Sequence, residues 1–82
     1  MDYQTIEDWK NSDPFQPFRL VMTDGRAFDI RHPNLIWPGR ATVLVGIQDP
    51  TAPPGVFGQY VSVAMIHVVR IEPLNPPVSS GP

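Results

Sequence analysis

Two short runs of alternating apolar and polar residues stand back to back in the first half of the chain. Phe18, Leu20 and Met22 share one face of an extended segment, and Phe28 and Ile30 follow after the turn residues Asp24-Gly25. Strand side chains alternate with period two, so the register must keep both apolar sets on one face. A two-residue Asp24-Gly25 loop would set Leu20 against Asp29 and put a carboxylate on the oily face. A three-residue loop, Thr23-Asp24-Gly25, sets Leu20 against Phe28, Phe18 against Ile30 and Arg19 against Asp29. The spacing therefore predicts a hairpin in that second register. Gly25 then takes the left-handed position that closes a type I turn with a G1 bulge.

The rest of the chain is punctuated by prolines. Residues 5–11 predict a short helix with Thr5 as N-cap, Asp8 three residues later, and Ile6 and Trp9 on one face. Asp13-Pro14 ends it, and Phe15-Gln-Pro-Phe18 reads as an extended lead-in whose phenylalanines seat the helix. His32-Pro33-Asn34 ends the second strand, and Leu35-Ile36-Trp37 reads as an apolar connector before the turn Pro38-Gly39. Ala41 to Ile47 is apolar on both sides, which predicts a third, central strand. Gln48 to Gly55 holds three prolines and predicts an exposed loop. Tyr60 to Ile66 and Val68 to Glu72 read as the fourth and fifth strands, joined so abruptly that a sharp barrel corner fits better than a hairpin loop. Residues 1–73 thus form one domain, and 74–82 are expected to be a flexible, Pro-rich tail.

This order of one helix and five short strands resembles the Sm-like barrel, a subset of the SH3-like barrels. Leu20-Val-Met-Thr-Asp-Gly25 is similar to the first half of the Sm signature, and Val61 to Ile71 is similar to its closing two strands. Pro14-Phe-Gln-Pro-Phe18, Asp24-Gly-Arg26 and His32-Pro33 also resemble a group of short bacterial proteins without a settled function. The Sm resemblance implies a mainly β fold, a small five-stranded barrel with a short N-terminal helix. It also implies a homo-oligomer assembled through the last two strands, with RNA at a pore. The chain departs from the RNA-reading part of that pattern. Its connector from Arg31 to Arg40 is long, and Met65-Ile66-His67 at the corner has no basic residue beside His67.

Composition narrows the chemistry. The net charge is −2, from six Lys and Arg against eight Asp and Glu, a poor start for gripping a phosphate backbone. Arg19, Arg26, Arg31 and Arg40 lie in one half of the chain and are the residues a nucleic-acid site would use. There is no cysteine, so no disulfide or thiolate metal site supplements the core of so short a chain, and oligomerisation is the expected supplement. His32 and His67 are too few and too isolated for a metal site, and capping or packing is their expected role. Ser62 is mid-strand, the other serines lie at the helix end or in the tail, and no glycine-rich cradle appears, so a non-enzyme without cofactor is expected. No run approaches a membrane span and the start lacks the pattern of a secretory signal, which makes a cytoplasmic protein the expectation. Trp37, Phe57 and Tyr60 remain, near arginines and a proline-rich loop. SH3-like modules use exposed aromatics to hold extended ligands, so these three are the candidate contacts for a peptide or protein partner. Pro73-Leu-Asn-Pro76 in the chain itself matches the proline spacing of such ligands.

Overall fold

The computed structural model describes residues 1–74. It opens with helix α1 (Tyr3–Lys10), whose N-cap is Asp2 rather than Thr5. The Asp2 carboxylate accepts the Thr5 backbone N–H at 2.9 Å, and hydrogen bonds from Thr5 hold that carboxyl below its ordinary range. Both residues are cap types, and the earlier start adds Tyr3–Glu7 and Gln4–Asp8 hydrogen bonds, 2.7 and 2.9 Å, on the exposed face. The expected inner face is kept: Ile6 is fully buried and Trp9 packs on the core. The Phe18 ring lies 5.4 Å from Trp9 and 5.9 Å from Phe15, so the lead-in does seat the helix.

Strands β1 (Phe18–Met22) and β2 (Ala27–Ile30) pair in the register expected from the sequence, Phe18 with Ile30, Arg19 with Asp29 and Leu20 with Phe28. The Met22 N–H donates to the Arg26 carbonyl at 2.8 Å and the Gly25 N–H to the Met22 carbonyl at 3.0 Å. With Gly25 at φ +90°, this is the bonding of a type I turn closed by a G1 bulge. Asp24 accepts the Arg26 backbone N–H and Nε at 3.0 and 2.8 Å, which holds its carboxyl below the ordinary range. Arg19 Nε donates to Asp29 at 2.8 Å on the solvent side. Exchanging the two charges (Arg19→Asp with Asp29→Arg) should leave the melting temperature within a few degrees, because an exposed pair is screened. Arg19→Asp alone should cost more than the exchange by facing two carboxylates across the ladder. A large loss for the double variant would contradict this register.

The described residues hold six strands rather than five. After a 3₁₀ turn (Pro33–Leu35) comes β3 (Ile36–Pro38), the stretch expected to be an irregular connector. It pairs Ile36 with Val45 and Pro38 with Val43 of β4 (Thr42–Gln48). Pro38 is tolerated because β3 is a sheet edge, and Ile36 and Trp37 alternate between core and solvent. β4 also pairs with β5 (Phe57–Ala64) and is central, as expected. β5 lies three residues earlier at its start than expected and ends at Ala64, so Phe57 and Tyr60 are within a strand instead of flanking a loop.

A 3₁₀ turn (Met65–His67) then carries the chain into β6 (Val68–Pro73), which pairs with β1. The result is two antiparallel sheets, β2-β1-β6 and β3-β4-β5. β5 and β6 lie in different sheets, so the abrupt join is a corner and not a hairpin. The corner is fixed by Met65 N–H to the Ala41 carbonyl and Thr23 N–H to the His67 carbonyl, both 2.8 Å. His67 is exposed, with Nδ1 3.4 Å from Thr23 Oγ1, and His32 offers its carbonyl to the Leu35 N–H at 3.0 Å. Both histidines therefore shape turns. Phe18, Leu20, Ile30, Ile36, Val43 and Val45 fill one core between the sheets, and no ladder among the described residues closes the sheets into a barrel. Apart from Leu74, whose N–H donates to the Pro17 carbonyl at 3.0 Å, the expected tail lies outside the described residues. No helix among them is long and apolar enough to cross a membrane.

Candidate functional site

The second sheet has apolar groups on both faces. Pairing of Val43 with Val63 and Val45 with Val61 turns those side chains to the core, which leaves Leu44, Gly46, Tyr60 and Ser62 on the outer face. Trp37 stands opposite Leu44 and shares that outer face. Phe57 should not, because it is three residues from Tyr60 and a regular strand would turn it inward. The ladder slips here: Ile47 pairs with Gln59, but Gln48 pairs with Phe57, so Gly58 is an extra residue. That bulge brings Phe57 back to the side of Tyr60.

The three aromatics named from the sequence therefore meet in one row. Trp37 and Phe57 centroids are 5.3 Å apart at 69°, and those of Phe57 and Tyr60 6.2 Å apart at 87°, both edge-to-face. Gly46 makes room beneath the row, since a Cβ there would lie 3.0 Å from Phe57 Cγ. The row is open to solvent, with Tyr60 62%, Trp37 37% and Phe57 36% exposed. At its inner end Lys10 of α1 stands 5.3 Å from the Trp37 ring centroid and donates to the Ile36 carbonyl at 2.5 Å. Partial burial lowers the pKa of this lysine, against an opposing pull from Glu7. The helix end thus clamps β3 and holds the tryptophan from behind.

The proline-rich loop before β5 is organised by two amides that the sequence reading passed over. Gln48 Nε2 reaches the carbonyls of Asp49, Val56 and Pro53 at 3.0, 3.1 and 3.3 Å, and its Oε1 accepts the Gly55 N–H at 3.0 Å. Asn34 Nδ2 donates to the Gly55 carbonyl, tying the first 3₁₀ turn to the loop. Asp49 accepts the backbone N–H and hydroxyl of Thr51 at 2.9 and 2.8 Å, and those bonds hold its carboxyl below the ordinary range. A glutamine immediately before a proline-rich run was the available signal. These bonds set where the chain re-enters the sheet and so where Phe57 stands.

The four arginines do not form a comparable site. Arg19 and Arg31 share Asp29 at 2.8 and 3.8 Å, and Arg26 pairs with Asp24 at 2.8 Å at the hairpin tip. Arg40, in the turn between β3 and β4, has no ion pair among the described residues. A carboxylate beside three of the four weakens the positive field that a phosphate backbone would meet. No group of three His, Cys, Asp or Glu side chains among the described residues is placed to hold a metal ion. Compared with family models, curated proteins and solved structures, the chain finds no match in any of the three.

Proposed function

We propose that this chain is a cytoplasmic, non-catalytic interaction or assembly module built on a small SH3-like (Sm-like) barrel. The six strands reduce to the five of that barrel when β2 and β3 are taken as one bent strand, interrupted at residues 31–35, that passes from one sheet to the other. The observation that carries the function is the aromatic row Trp37–Phe57–Tyr60 on the solvent face of the second sheet. Aromatic groups of this size normally find burial, and a connected row left open offers flat, rigid surface at small entropic cost. An extended peptide fits it best, above all a proline-rich one, which is already ordered before it binds. The last two strands each keep one edge free among the described residues and supply the assembly half of the reading.

The alternative, an Sm-type RNA binder using Arg19, Arg26, Arg31 and Arg40, makes opposite predictions. A synthetic peptide with the sequence Pro-Leu-Asn-Pro-Pro-Val and a labelled single-stranded RNA serve as probes, each titrated at low and moderate salt. The peptide should bind with little salt dependence, and Trp37→Ala should weaken it at least about tenfold. Absence of peptide binding would overturn the groove. Micromolar RNA binding that falls steeply with salt and disappears in Arg19→Ala/Arg31→Ala would replace it with the nucleic-acid reading.

A further inference from the structure

Unpaired N–H and C=O groups on a sheet edge are a template for another strand, and the two sheets present four such edges among the described residues. Three of them carry a device that resists pairing. β2 is four residues long and contains Asp29, with Arg31 just beyond it. β3 is three residues long and ends in Pro38. β6 ends in Pro73, carries the Arg70–Glu72 ion pair at 2.5 Å, and bulges at Val69, where Met22 pairs with Val68 but Val21 with Arg70. β5 has none of these along most of its length. It is eight residues without a charge or a proline, and its bulge is confined to Gly58 near one end.

We infer that β5 is the working edge and that its occupant is β5 of a second copy, antiparallel about a two-fold axis. The product is a six-stranded sheet, β3-β4-β5-β5-β4-β3, running through two chains. This rests on the reading of the chain as an assembly module and narrows it, because a ring would also need the bulged and charged edge of β6. An isologous contact uses one patch twice, so a single open edge per chain is sufficient. Antiparallel pairing also sets the end of one β5 against the start of the other. Ile66, just past the strand, is 80% exposed, and Val56, just before it, is 46% exposed. The pairing places these two apolar groups against each other, once at each end of the contact. No like charges meet, since 56–66 contains no charged residue. A two-fold axis perpendicular to the sheet keeps both aromatic rows on one face, so the dimer offers its peptide ligand two adjacent rows.

Light scattering of the full chain at low and high salt tests this, together with Ser62→Lys, a new charge at mid-strand, and Ile66→Asp, a change at the corner outside the ladder. The expected result is the mass of two chains at both salts, with each variant raising the dimer dissociation constant at least tenfold. Far-UV circular dichroism should show the fold retained in at least one of them. A monomer up to hundreds of micromolar, a pentamer to heptamer, or a dimer that both variants leave intact would overturn the inference. The module reading fails separately: a monomer that still binds the proline peptide through Trp37 sinks the dimer alone, and a dimer that ignores the peptide sinks the groove alone.

Discussion

Phe18→Ala should lower stability by about 3–5 kcal/mol, more than any other single truncation in the core. Phe18 is completely buried at the first position of β1, where it is paired on one side with Ile30 and on the other with Pro73. Its ring is also the seat of α1, in contact with both Trp9 and Phe15. Truncation therefore empties volume at the point where helix, hairpin and last strand converge, and two tilted aromatic contacts go with it. A domain of this length has roughly 4–12 kcal/mol in total, so the variant should be close to unfolding at room temperature. Urea unfolding followed by circular dichroism gives the loss directly. A loss below about 1.5 kcal/mol would mean that the surrounding side chains collapse into the space and that α1 is held by something else. Trp37→Ala should differ in kind, because a ring already one-third exposed and on the outer face leaves no sealed cavity. One aromatic cluster thus holds the fold together and the other lies open to solvent.

The hairpin was legible because two loop lengths competed and only one kept Asp29 off the oily face. The helix was legible in type but not in start, since Asp2 and Thr5 are both cap residues and the earlier start adds contacts made four residues further on. β3 was hidden because three residues cannot show a period, and prolines at 33 and 38 made the stretch look irregular. The three aromatics could be named from their chemistry but not brought together. Phe57 and Tyr60 have a spacing that a regular strand would split between faces, and only the extra residue at Gly58 reunites them. The pairing of β1 with β6 joins residues some fifty positions apart, and no local pattern says which strands become neighbours. The same limit hid the loop amides, because Asn34 is opposite Gly55 only once both 3₁₀ turn and loop are in place.

Gly55→Ala should cost about 2–4 kcal/mol, and Gly25→Ala only about 1–2 kcal/mol, although the two glycines have nearly the same φ. Their φ angles are +88° and +90°, so the left-handed strain of an alanine is common to both. Their surroundings are not. A Cβ on Gly25 meets nothing within 4 Å, whereas one on Gly55 would lie 2.9 Å from Asn34 Oδ1 and 3.0 Å from its Nδ2. Asn34 is the donor to the Gly55 carbonyl, so the intruding methyl pushes away the group that holds the loop. The difference between the two variants therefore reports chiefly on the Asn34 contact, beside the burial of Gly55 and its bond to Gln48. Asn34→Ala should cost about 1 kcal/mol, and the Gly55→Ala/Asn34→Ala double variant should cost less than the sum, since the clash is then relieved. Equal losses at Gly25 and Gly55 would show that Asn34 moves aside freely and that its bond does not pin the loop. The consequence reaches the proposed binding face, because Gly55 is two residues before Phe57. A loop released at Gly55 frees the ring that links Trp37 to Tyr60, so Gly55→Ala should weaken the proline peptide even where the protein remains folded. Gly25→Ala, at the far hairpin tip, should leave that affinity unchanged.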